Sequence, residues 1–100
     1  MDQVRISIPT DRIADFCRQN SIRRLAVFGS ALRDDFGPDS DIDVLVEFQP
    51  NAGVGYIRLA GMEAELGEIL GHRVDMNTPN GLHRRFRDTV LAEAEVLYAA

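Results

Sequence analysis

From Asp41 to Phe48 the chain alternates cleanly: Ile42, Val44 and Val46 fall on one side, and Asp41, Asp43, Leu45 and Glu47 on the other. A period of two is the signature of a β-strand, and this is the clearest strand in the sequence. Ile22 to Phe28 sets Leu25 and Val27 against Arg24, Ala26 and Phe28 and predicts a largely buried strand that ends at Gly29-Ser30. Arg73 to Asn77 predicts a short strand with Val74 and Met76 facing the core and Asp75 opposite. Helical spacing appears elsewhere. Ile13, Phe16 and Cys17 form a short stripe behind Pro9-Thr10, with Thr10 expected as the N-cap. Between Tyr56 and Leu70, the residues Leu59, Met62, Leu66, Ile69 and Leu70 share a face, Glu63, Glu65 and Glu68 look to water, and Gly71 suits the C′ position. Leu82, Phe86 and Val90 mark a last helix, and Val96-Leu97-Tyr98 a short terminal strand.

Ala31 to Ser40, which holds Gly37-Pro38, reads as a helical turn followed by loop, and Pro50 to Gly55 reads as a loop. The order is therefore α-β-turn-β-α-β-α with one more strand, an α/β (α+β) arrangement in which helices pack on one face of a small mixed sheet. Two strands carry acids on the face away from their β-branched residues. That face is expected to be open and to hold something positive. Tyr56 and Tyr98 are expected to be packing residues, and Cys17 a buried one.

A chain of 100 residues has room for one core, so residues 1–100 are expected to form a single domain. No apolar run approaches the ~20 residues that span a bilayer. The opening MDQVRISIPTDR lacks a basic and then apolar leader, and Cys17 alone cannot form an internal disulfide. Cytoplasm is the expected compartment. The formal net charge is -5, from 16 acidic and 11 basic residues, which argues against a general nucleic-acid binder. It argues less against a small triphosphate, whose charge a metal ion and one or two arginines can meet.

The chemistry concentrates in Gly29-Ser30, the intervening Ala31 to Ser40, and Asp41-Ile42-Asp43. Glycine at a strand end lets backbone amides approach a phosphate, and the Ser30 hydroxyl adds a donor. Asp41 and Asp43 leave one face of a strand roughly 7 Å apart at the backbone. Two carboxylates held together repel, and a divalent cation removes that cost. Hard oxygen ligands on an open face suit Mg²⁺, which keeps waters and phosphate oxygens in its shell. Asp75 is a third acid on a strand that could neighbour the first. With two ions, one orients the triphosphate and the other activates the attacking hydroxyl, with Asp75 as ligand and proton acceptor.

The run GSALRDDFGPDSDIDVLVEF resembles the GS-x10-DxD signature of the minimal nucleotidyltransferases, in the DNA polymerase β-like nucleotidyltransferase superfamily. The helix ending at Leu70-Gly71, the strand with Val74-Asp75, the Thr78-Pro79 turn and VLAEAEVLY extend the likeness over about residues 10 to 98. The resemblance implies a nucleotidyltransferase fold with an open acidic face. It implies Mg²⁺-ATP held by Gly29, Ser30, Asp41 and Asp43, with Asp75 as third carboxylate. It also implies a neighbouring HEPN-domain toxin that the chain, as antitoxin, adenylylates or blocks. Arg33, where the family often carries an arginine, either reaches a phosphate or pairs with Asp34, Asp35 or Asp39. His83, Arg84, Arg85 and Arg87 form a basic cluster expected to face solvent or a partner.

The reading is transfer of AMP from ATP to a hydroxyl, with a partner protein supplying the wall that so short a chain lacks. Two rivals remain: an antitoxin that neutralises its partner by docking alone, and nucleotidyl transfer to a small molecule such as an aminoglycoside. Base preference, acceptor, strand order and oligomeric state, homo- or hetero-, stay open.

Overall fold

The computed structural model describes residues 8–32, 37, 39–82 and 84–100, apart from the side chains of Ser30 and Ala31. Helix α1 (Thr10–Gln19) leads into strand β1 (Ile22–Phe28), and a 3-10 turn (Gly29–Leu32) follows. Strand β2 (Ile42–Phe48), helix α2 (Tyr56–Leu70) and strand β3 (Val74–Asn77) come next. A second 3-10 turn (Pro79–Gly81), helix α3 (Arg84–Glu93) and strand β4 (Glu95–Ala99) complete the order.

The sheet runs β3-β2-β1-β4. β1 lies antiparallel to both β2 and β4, whereas β2 and β3 are parallel. Parallel neighbours need a crossover, and α2 provides it. The α1 stripe of Ile13, Phe16 and Cys17 and the α2 stripe of Met62, Leu66 and Leu70 pack together with Leu25, Val27, Ile42, Val44, Val46, Val74 and Met76 as one core. Each large side chain buried there contributes roughly 1.5–3 kcal/mol. This side of the sheet holds the main core, and the acids lie on the other side.

Four local expectations change. Thr10 is the first helical residue and Pro9 takes the cap position, with no side-chain cap bond, because the Pro9 carbonyl already accepts from Ile13 N–H at 3.0 Å. Glu63 is half-buried rather than turned to water: its Oε2 accepts the Met76 N–H at 2.7 Å and so ties α2 to the edge strand β3. Tyr56 is 90% exposed and packs nothing. The Leu82, Phe86 and Val90 spacing does mark a helix, α3, although no residue of α3 is buried and Phe86 is 60% exposed. On the acid-bearing side, Leu45 and its register partner Ala26 are buried, so that face is closed in its middle and open at one end. Gly71 does end α2 in the left-handed region at φ 73°, its N–H donating to the Gly67 carbonyl at 2.8 Å.

Cys17 is buried, and loss of hydration pushes its thiol from an ordinary 9.0 up to about 12, with Arg18 pulling the other way. The native thiol should therefore react with a disulfide reagent at pH 8 on the order of a thousandfold more slowly than in the unfolded chain. Rapid native labelling would contradict this burial. Because the unfolded thiol ionises first, stability should decline as pH climbs from about 9 towards about 12.

Candidate active site

The chain reaches the site through a closed turn. Gly37 N–H donates to Ser40 Oγ at 3.0 Å, and Ser40 N–H donates to the Gly37 carbonyl at 3.0 Å. The Ser40 carbonyl lies 3.4 Å from His72 Nδ1. Ser40 thus fixes how Asp41 enters β2, a role its place before the aspartates did not disclose.

Parallel pairing then settles the acids. Ile42 stands beside Val74 and Asp43 beside Asp75. The ladder continues outward, since Ile42 N–H donates to the Arg73 carbonyl at 2.8 Å. Asp41 at the entry to β2 and Asp43 within it, beside Arg73 at the entry to β3 and Asp75 within it, therefore form a two-by-two patch with neighbouring backbones roughly 4.8 Å apart. Arg73 Nε lies 3.8 Å from Asp41 Oδ1, and both side chains are well exposed. Arg73 escaped the reading of the sequence; the available signal was its position two residues before Asp75, on the same side of the strand.

Gly29 closes the patch from the β1 side. Its φ is +70°, and a Cβ placed there would lie 2.5 Å from Asp43 Oδ2. Backbone and carboxylate meet in the space a side chain would fill, so this turn tolerates glycine and little else. Glu47, the remaining acid of that face, is removed from the site: it takes the Arg23 guanidinium at 2.9 Å and faces Arg24. Arg33 and His83 lie outside the described residues, as does the Ser30 side chain. Of the basic cluster, Arg84 and Arg85 are exposed and Arg87 half-buried.

Among the described residues no three His, Cys, Asp or Glu side chains already converge as a metal cage. A cage is not what Mg²⁺ requires. One or two carboxylates completed by water and phosphate oxygens suffice, and Asp41, Asp43 and Asp75 offer only hard oxygen donors on one accessible patch. The donor set fits such an ion.

A nucleotidyltransferase domain model matches residues 10–97. The chain belongs to the nucleotidyltransferase family. A Methanocaldococcus jannaschii protein, "Putative protein adenylyltransferase MJ0435", is 36% identical over 83% of this chain and 87% of its own length. Protein adenylyltransferase MntA of Thermococcus cleftensis is 32% identical over 87% of this chain and 86% of its own. Among solved structures, a "putative minimal nucleotidyltransferase" superposes with TM-score 0.71 at 35% identity, covering 86% of each chain. A toxin–antitoxin complex with AMP-PNP gives TM-score 0.73 at 19% identity, over 93% of this chain and 75% of the other. A MNT antitoxin complex with a tri-AMPylated Shewanella oneidensis HEPN toxin gives 0.60 at 19%, over 91% and 70%. The mixed four-stranded sheet and three helices are thus a nucleotidyltransferase fold. Among the described residues no helix is long and apolar enough to cross a membrane.

Proposed function

We propose that this nucleotidyltransferase moves AMP from Mg²⁺-ATP to a hydroxyl on a partner HEPN toxin and serves as its antitoxin. The observation that carries the reading is the register that sets Asp43 level with Asp75, with Gly29 packed on the Asp43 carboxylate. Relatives named protein adenylyltransferases support the donor and the acceptor class.

Backbone amides of the Gly29–Leu32 turn, with Ser30 and Arg33, hold the triphosphate. Asp41 and Asp43, joined by Asp75, hold the metal. A bound Mg²⁺ supplies charge neutralisation for the phosphate oxygens. The acceptor oxygen bonds to the α-phosphorus, the bond to the bridging oxygen breaks, and pyrophosphate leaves. The hydroxyl proton passes to the Asp75 carboxylate, which stands exposed at the patch.

The test incubates the chain with ATP, Mg²⁺ and the HEPN-domain product of the neighbouring gene, then weighs that product intact. The expected result is a mass gain of whole AMP units that disappears when Mg²⁺ is chelated. An unmodified toxin that is nonetheless neutralised, together with no calorimetric binding of Mg²⁺-ATP, would replace this reading with the docking one.

A further inference from the structure

The connection from β3 to β4 joins the two edges of the sheet, so it travels the full width of the sheet. The 3-10 turn at Pro79–Gly81, which begins that path, lies against β2. On the face of Val44 and Val46 the room is taken by α1 and α2, and no residue of α3 belongs to that core. Leu45 and Ala26, in the middle of the acid-bearing face, are nonetheless buried. Helix α3 therefore crosses on the acid-bearing side. Its ten residues span about 15 Å, which matches three strand spacings of roughly 4.8 Å. The path ends where Glu95 pairs with Val27, two residues before Gly29.

That course divides the basic cluster. Arg84, Arg85, Phe86, Asp88 and Thr89 are exposed, whereas Arg87, Val90 and Ala94 are half-buried. The last three recur at i, i+3 and i+7, so they mark the side of the helix that faces the protein. Arg87 Nε is shut off from solvent there and meets no hydrogen-bond acceptor among the described residues. A buried N–H without an acceptor costs free energy, and an arginine cannot shed its proton to escape that cost.

We infer that Arg87 binds the phosphates of the nucleotide donor from the inner side of α3. The inference rests on the transfer reading above. Once Asp41, Asp43 and Asp75 hold a cation, a second cation on the same face calls for an anion with oxygens to offer both. A triphosphate has them, and the planar guanidinium fork suits phosphate oxygens. Arg87 makes and breaks no bond. It offsets the charge on the phosphate oxygens as pyrophosphate departs.

The test is titration calorimetry of Mg²⁺-AMP-PNP on the full chain, at a temperature where every variant is folded. Arg87→Gln should bind AMP-PNP roughly tenfold more weakly, the loss expected of one charge-assisted contact. Arg84→Gln, the same change on the outer side of α3, should stay within about twofold because solvent screens that charge. Unchanged affinity in Arg87→Gln, with or without a fall in its ligand-free melting temperature, would overturn the inference, as would an equal loss in Arg84→Gln. If Arg87→Gln does not fold, phenylglyoxal labelling of the unsubstituted chain decides. Mg²⁺-AMP-PNP should then protect Arg87 and leave Arg84 as reactive as before; no protection at Arg87 would overturn the assignment. AMP-PNP that fails to bind the unsubstituted chain defeats the transfer reading itself, whereas bound AMP-PNP indifferent to Arg87 defeats the role of this residue alone.

Discussion

Asparagine in place of Asp43 is expected to lower nucleotidyl transfer on the order of a thousandfold, about 4 kcal/mol of barrier, in a chain that still folds. Asp43 is the acid the structure commits most firmly. Its backbone is fixed by the pairing of Phe28 with Asp43 on one side and of Asp43 with Asp75 on the other, and its carboxylate lies against Gly29. An amide keeps the shape and loses the charge that a cation needs. The same substitution should raise the metal-free melting temperature. Asp43 and Asp75 are level on adjoining strands, and like charges so placed destabilise a sheet by a few tenths to about 1 kcal/mol. Relief of that repulsion corresponds to roughly 2–5 °C in a domain of this size. Opposite signs for activity and stability set a functional cluster apart from a structural one. A melting point that falls in metal-free buffer, or transfer that survives, would remove Asp43 from the site.

The second large effect belongs to Gly29→Ala. Alanine must adopt φ +70°, which costs a side chain about 1–2 kcal/mol, and its methyl would sit 2.5 Å from Asp43 Oδ2. The carboxylate is the softer partner and gives way. Expected are a melting temperature lower by roughly 5–15 °C and, at a temperature where the variant is fully folded, transfer reduced by about a hundredfold, the cost of an ångström-scale misplacement. Circular dichroism beside the transfer assay separates the two losses. A folded variant with full activity would mean that the Gly29–Asp43 contact has no part in catalysis.

Much of the fold was legible because local periodicity wrote it. The strand Ile42–Phe48 and the helix Tyr56–Leu70 carry strong patterns, and the structure places both within a residue of where those patterns put them. What was hidden depends on partners distant in the chain. Nothing local to Asp75 says that it stands beside Asp43; that follows from a crossover pairing of two strands separated by α2. Nothing local to Glu63 distinguishes it from Glu65, yet one meets a strand N–H and the other meets water. The α3 stripe shows the converse: the pattern of Leu82, Phe86 and Val90 marks a helix, yet no residue of that helix is buried. Gly29, Asp41 and Asp43 could be singled out from the sequence because their spacing is itself the signal. Arg73 was not, since an arginine before a strand is ordinary until its neighbour across the ladder is known.

The bond from Met76 N–H to the Glu63 carboxylate bears on the exposed edge of the sheet. β3 is an edge of the sheet, where an extended polypeptide could add itself as a further strand. The amide at Met76 is already engaged, so backbone-to-backbone docking is blocked at the position next to Asp75. An extended chain pairing along β3 would find that position taken, so the edge nearest the acids is guarded against unintended strand addition.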